Sequence, residues 1–346
     1  GQVDCVLTLL MVLTAVFAME KRWSDAIPLF VVGALTKPQA LLFAPVGGIW
    51  LIQSLVLATK QERSKQGKSL LWGVEIAIVC AAAIILPFSV RQTDPLWLVK
   101  LYQETLSSYN YAVLNTANLM YLLGGNWSTL DEGAKQLSWL IPCVSALLLL
   151  AVGVWQTKLY KGLAGIRECF ASLKKHWREH EPCTAAERRG LMALVCVVFG
   201  LAFLVQTFLP STFLVYGTTW MVFAYAIALV GMVIDNRADK LPFYMALMLM
   251  GVYALGLKIH ERYLFVALAL LPLAYVRTKD RRMLWLCVGL SVTTFLNTAI
   301  VLDNSILFGS SMGHLNSDTI VINDILCVAN VLLYAYGLWI AFAEAK

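Results

Sequence analysis

The chain has 346 residues, of which 60% are apolar and 14% charged, with a formal net charge of +6 and a mean hydropathy of +0.72. Soluble domains carry about 45–50% apolar and about 25% charged residues, so these figures exclude a soluble globular enzyme, a disordered chain and a nucleic-acid-binding module. So much apolar side chain does not fit one aqueous core, and the sequence reads as an all-α, polytopic transmembrane helix bundle.

Spans need about 20 apolar residues, or fewer where a broken helix is shielded by protein. Eleven are expected, at 4–20, 25–36, 39–58, 69–89, 138–157, 190–209, 213–234, 241–257, 262–277, 283–302 and 320–342. The chain opens Gly-Gln-Val-Asp, with neither an initiator Met nor a signal peptide, and is expected to be N-terminally incomplete. Asp4 is an ordinary helix-end carboxylate at the start of the first span. The second span stops at Lys37-Pro38, and Pro suits the first turn of the next helix. Pro45 and Gly47-Gly48 are expected to interrupt the third span. Glu75 lies within the fourth and is expected to face the bundle interior, where an intramembrane carboxylate finds partners.

Charge sets the orientation. Segments 21–24, 59–68, 158–189, 235–240, 277–282 and the C-terminus hold 21 of the 27 Lys and Arg residues. These are read as cytoplasmic, with 158–189 as the long basic loop, whose charges fix topology and contact anionic lipid. The other side then carries Asp4, Lys37, the loop 91–137, Lys258 to Arg262, and 303–319. There is no internal repeat, so 1–346 reads as one membrane domain. The eight cysteines include no CxxC pair and read as buried thiols. Neither a metal nor any other cofactor is expected.

Three places on the second side could carry chemistry. Lys258-Ile259-His260-Glu261-Arg262 puts four ionisable residues between two apolar stretches. Lys258 and Arg262 share a helical face, Arg262 suits bidentate contact with phosphate, and Glu261 could orient the Arg or receive a hydroxyl. The competing reading is an exposed turn with snorkelling cations. Lys37-Pro38-Gln39 sets a cation beside a helix N-terminus, which favours anions; a snorkelling Lys is again the alternative. The loop holds Tyr109-Asn110-Tyr111, Asn115 and Asn118, then Gly124-Gly125-Asn126-Trp127. Amides and ring faces suit a sugar, and an interfacial loop with belt aromatics is the plain alternative. Residues 95–107 could form an amphipathic surface helix. No phosphate-binding glycine loop, serine-hydrolase or zinc-protease signature and no Asp-x-Asp pair is present, so a metal-held nucleotide sugar is unsupported.

Taken together, these pieces resemble a known family. Gly1-Gln2-Val3-Asp4 is similar to the end of a Trp-Gly-Gln-x-Asp motif. Thr36-Lys37-Pro38-Gln39-Ala40-Leu41 through Pro45, Asn115 to Trp127, and His260-Glu261-Arg262-Tyr263-Leu264 resemble three further motifs in the same order. The whole resembles the GT-C membrane glycosyltransferases, most closely prokaryotic mannosyltransferases related to the second mannosyltransferase of GPI-anchor assembly. The resemblance covers nearly the whole chain. It departs at Met120, where the family has an aromatic, with Tyr121 beside it.

The resemblance implies a hexosyltransferase that moves a sugar, mannose in the related enzymes, from a polyprenyl-phosphate donor to a hydroxyl of a lipid or glycan acceptor. The reaction would face outward from a bacterial cell membrane, or the lumen of the endoplasmic reticulum in a eukaryote. His260, Arg262, Lys37 and Lys258 would hold the donor phosphate. Tyr111, Asn115, Asn118, Glu261 and Gln39 would shape the sugar or acceptor site. The catalytic acid of the family is expected before Gly1, with Asp4 a poor substitute. Competing classes are a lipid-linked oligosaccharide flippase or transporter, a polysaccharide polymerase or ligase, and a purely structural membrane protein. The enzyme reading requires the Lys37 and Lys258–Arg262 clusters to converge on one pocket.

Overall fold

The computed structural model describes residues 3–107, 110–132, 139–157, 171, 185–209, 212–307 and 317–343. Most of the basic segment 158–189, and Tyr109, lie outside the described residues.

The first helices are α1 (Asp4–Met19), α2 (Trp23–Thr36), a 3₁₀ turn (Pro38–Phe43), α3 (Ala44–Val56), α4 (Lys60–Ser89) and α5 (Trp97–Ser107). After the short strand β1 (Val113–Leu114) come α6 (Leu119–Leu122), α7 (Leu140–Thr157), α8 (Ala185–Gln206), α9 (Phe213–Asp235) and α10 (Leu241–Leu255). Strand β2 (Ile259–His260) precedes α11 (Phe265–Thr278), α12 (Arg281–Leu307) and α13 (Ser317–Phe342). Among the described residues, six segments are long and apolar enough to cross a bilayer: 38–56, 60–89, 187–206, 213–235, 281–303 and 319–342. Four shorter apolar helices accompany them. This is the architecture of an all-helical membrane protein. The strands β1 and β2 pair in parallel, with Val113 opposite Ile259 and Leu114 opposite His260.

Helix α10 is the axis of the bundle. All of its residues from Leu241 to Leu255 are buried, as expected of a helix that is apolar on every side. Around it stand α9, α11, α13, α1 and α3. Close approach depends on small residues. A Cβ on Gly251 would come within 2.6 Å of Ala224 Cβ and 2.7 Å of the Tyr334 hydroxyl.

Local chemistry explains where helices begin and end. Helix α4 starts nine residues before the expected apolar span, because Thr59 and Glu62 form a capping box: Glu62 N donates to Thr59 Oγ1 (3.3 Å) and Thr59 N to Glu62 Oε2 (3.0 Å). The interruption expected at Pro45 and Gly47-Gly48 falls earlier, between the 3₁₀ turn and α3. Pro45 sits in the first turn of α3, where its missing N–H costs nothing, and the two glycines continue the helix. Helix α9 ends where Asn236 turns left-handed (φ 45°).

At that end a second set of charges is closed off. Asp235, 2% exposed, is ion-paired to Arg188 Nη1 (2.5 Å) and Lys240 Nζ (2.6 Å) and accepts from the Tyr244 hydroxyl (2.5 Å). Three helices are thereby joined at one carboxylate.

Glu75 does not face the interior. Gly73 and Ala77 fill the packed face of α4, and at 100° per residue Glu75 falls on the other side of the helix, where it is exposed.

Replacing Gly251 by Val would force the axis away from Ala224 and Tyr334. The expected cost is about 1–3 kcal/mol, read as a lower midpoint of thermal unfolding in detergent. An unchanged midpoint would mean that α10 is not packed as described.

Candidate functional site

The two cation clusters converge. Lys37 follows α2 with extended backbone (φ −153°, ψ 121°), and its N–H closes on Gly33 O. The 3₁₀ turn then starts at Pro38. This break points the Lys37 side chain along the bundle end toward the first turn of α1. There Lys37 Nζ is ion-paired to Asp4 Oδ1. Arg262 comes from the turn between β2 and α11, and its Nε lies 3.7 Å from the other oxygen, Asp4 Oδ2. Arg262 Nη1 also donates to Glu261 Oε1 at 3.2 Å. Residues separated by up to 258 positions thus share one carboxylate, which is 8% exposed.

The His260–Tyr263 turn is wrapped around the same point. Tyr263 N donates to His260 O (3.1 Å). The Tyr263 ring lies between the two: Lys37 Nζ stands 5.3 Å from its centroid, a cation–π contact, and the His260 ring 5.4 Å away. Gln39 Nε2 donates to Tyr263 O (3.2 Å), while Gln39 Oε1 is buried without a hydrogen-bond partner among the described residues. Lys258 has a left-handed backbone (φ 56°), and its N–H donates to Ala112 O at 2.9 Å. Its established contribution is thus to join the turn to the loop.

The loop is laced to itself and to the turn. Asn115 Oδ1 accepts from Asn126 Nδ2 and Trp127 Nε1, both at 3.0 Å. Asn118 is fully buried, caps α6 by accepting from Tyr121 N (3.0 Å), and donates to Gly256 O (3.1 Å). Tyr111 packs edge-on against Trp127, centroids 5.3 Å apart. Thr116 Oγ1 donates to Ile259 O (2.6 Å). The amides of Asn115 and Asn118 therefore have partners inside the protein and hold the loop's shape.

One residue that sequence reasoning passed over fixes the loop from below. Asn297, fully buried on α12, donates to Asn115 O and to Asn323 Oδ1, both at 3.0 Å. Its own Oδ1 accepts from Ala117 N (3.2 Å) and the Tyr253 hydroxyl (3.1 Å). Asn330 Nδ2 adds a bond to Ala117 O (2.8 Å). A lone Asn within an apolar span is the available signal, since such a group must find partners.

A cavity of about 1020 Å³ opens beside the Asp4 carboxylate. Its polar end is formed by Asp4, Glu261 and Arg262, and its walls by apolar side chains of α1, α11 and α12, including Leu9, Val12, Ala269 and Val301. Lys37 and His260 are not part of the lining; they stand behind Asp4 and Arg262. Asp4 Oδ2 and Arg262 Nε are both buried without a hydrogen-bond partner among the described residues. Their 3.7 Å separation exceeds a hydrogen bond, so the two atoms are ion-paired without one, and both residues contribute to the cavity wall. Among the described residues there is no cluster of His, Cys, Asp or Glu able to hold a metal ion.

Comparison with family models, with curated proteins and with solved structures finds no match to this chain.

The His260 imidazole is held below its ordinary range, first by burial and then by the Arg262 guanidinium, with Lys37 adding to the effect and Glu261 and Asp4 opposing it. It is therefore neutral at pH 7 and can donate or accept one hydrogen bond. Because the folded value is depressed, its contribution to stability is complete above about pH 6.5 and falls as the pH drops toward the folded value. In ¹³C-histidine spectra assigned with a His260→Gln control, the His260 signal is expected to titrate below pH 6.5. Arg262→Gln should move that midpoint upward. A wild-type midpoint at or above 6.5 would contradict the geometry.

Proposed function

We propose that this protein is a GT-C-type hexosyltransferase that transfers a sugar, mannose by resemblance, from a polyprenyl-phosphate donor to a hydroxyl of a lipid or glycan acceptor, at the extracytoplasmic face. The observation that carries the reading is the meeting of Lys37 and Arg262, from two separate motifs, on Asp4 at the polar end of a long apolar cavity.

The cavity matches the two halves of such a donor. A prenyl chain needs apolar walls, which side chains of α1, α11 and α12 supply. A phosphate needs fixed cations at the end of that groove. Arg262 offers planar donors to phosphate oxygens, and Lys37 becomes available to the same anion if Asp4 yields it. Asp4 is then the resting counter-ion that keeps both cations converged when no phosphate is bound. Neutral His260 stands behind them against the Tyr263 ring and adds no further charge.

The reaction asks for little more. The acceptor oxygen bonds to the anomeric carbon, the carbon–oxygen bond to phosphate breaks, and the prenyl phosphate leaves as an anion. The acceptor's proton passes to a base. Fixed cations lower the barrier by stabilising the charge that builds on the departing phosphate. Asn115, Asn118 and Tyr111 shape the loop over this site and act through it. The eleven-span topology, with the basic segments on the cytoplasmic side, belongs to the same proposal: it puts the Asp4 end outside, where lipid-linked rather than nucleotide-linked sugars are met.

Transfer of radiolabelled sugar from polyprenyl-phosphate mannose, with polyprenyl-phosphate glucose in parallel, tests the reading in membranes containing the protein. Release of prenyl phosphate should accompany transfer, which a flippase would not produce. Arg262→Gln is expected to lower turnover by about 10²–10³. Ala269→Phe, which narrows the groove, should raise KM for a long prenyl donor and spare a short one. Equal turnover by Arg262→Gln and the wild type would end the assignment.

A further inference from the structure

Helix α4 is packed on one side only. Gly73 presses so closely on α2 that a Cβ there would stand 2.3 Å from Trp23 O. Trp23 Nε1 donates to Gln66 Oε1 (3.3 Å), and Ser24 N to Ser69 Oγ (3.0 Å). The other side presents Trp72, Ile76, Val79, Ala83 and Leu86, all exposed. Their spacing of 4-3-4-3 residues is the seam of a helix pair. An apolar seam alone needs nothing but lipid. Glu75 is what lipid does not satisfy.

Glu75 is the only charged residue between Lys68 and Arg91. It is exposed beside the seam, between Trp72 and Val79. At 1.5 Å per residue it lies about 10 Å beyond Lys68 and about 24 Å before Arg91, well inside the apolar stretch. An ionisable group there is costly unless it is paired. Lys68 is two turns away on the same side and does not close that gap. A second copy of this chain, aligned in the same direction, would set Glu75 against Glu75, and like charges repel strongly in a medium of low dielectric.

The geometry points to the exposed seam of α4 as the docking surface for a transmembrane helix of a partner protein that carries Lys or Arg at the depth of Glu75. The seam supplies the packing and the carboxylate supplies the choice of partner. This inference is independent of the glycosyltransferase reading, because α4 does not line the cavity.

The test uses the reconstituted full chain with a photo-crosslinking side chain at Val79, and a second preparation with it at Phe295, an exposed position on α12. The probes are two synthetic Leu-rich transmembrane peptides. One carries a single Lys about 10 Å inside its apolar stretch, and the other carries Leu there. Crosslinking from Val79 should favour the Lys peptide by about threefold or more, the range of polar pairing between membrane helices. Phe295 should show no preference, and Glu75→Leu should abolish the preference at Val79. Glu75 touches no packed neighbour, so that variant does not put the fold at risk. Equal crosslinking of both peptides, an unchanged preference in Glu75→Leu, or crosslinks predominantly between two copies of this chain would each overturn the proposal.

Discussion

A carboxylate taken out of water between two cations organises the end of this bundle that bears the cavity. Desolvating an ion costs several kcal/mol even after relaxation, and Asp4 is 8% exposed. Lys37 and Arg262 offset that cost only from where they stand. The first turn of α1, the break after α2 and the turn before α11 are therefore held to one another. Removing Asp4 leaves Lys37 without its ion pair and Arg262 with Glu261 alone, and breaking a buried pair from one side costs about 3–5 kcal/mol. The extended backbone of Lys37 follows from the same need, since one more helical residue would rotate its side chain away by 100°.

The loop over the site faces a harder problem. Non-helical backbone near a membrane must find every hydrogen bond within the protein. Here two sets of contacts supply such bonds. The β1–β2 pairing and Thr116 tie the loop to the His260 turn, and Asn297 and Asn330 rise from α12 and α13 to meet its underside. Because the turn itself hangs from α10, which is buried on all sides, loop and turn are fixed against the most rigid element in the molecule. Precision at the Arg262 guanidinium thus derives from helix packing.

Much of this was legible beforehand, and the failures have physical causes. Apolar runs located the helices, because in lipid a span must satisfy its own backbone. They mislocated the start of α4, since Thr59 and Glu62 continue a helix by capping, a signal that hydropathy does not register. Lys37, His260 and Arg262 stood out because cations between apolar stretches are conspicuous. Asp4 did not, being an acid at a helix N-terminus with an ordinary explanation at hand. The asparagines of the loop were legible as polar groups but not as donors and acceptors already engaged, because their partners, Gly256 and Asn126, are identified only by the fold. Glu75 was expected inside by a sound general rule, and its exposure is informative for that reason.

The two ends of the bundle use the same chemistry to different effect. Asp235 has both oxygens within 2.6 Å of a cation or a hydroxyl. It joins three helices, with Arg188 on one oxygen and Lys240 and the Tyr244 hydroxyl on the other. Asp4 has one oxygen paired to Lys37 and the other 3.7 Å from Arg262 Nε; those last two atoms are buried without a hydrogen-bond partner among the described residues, and their residues line the cavity. At 3.7 Å this pair is looser than any of the contacts that Asp235 makes, all within 2.6 Å. Leaving it open keeps a guanidinium and a carboxylate short of full pairing, and a bound anion with its own oxygens would complete the arrangement. The difference between a closed ion pair and an open one is what separates a structural clamp from a candidate binding site in this chain.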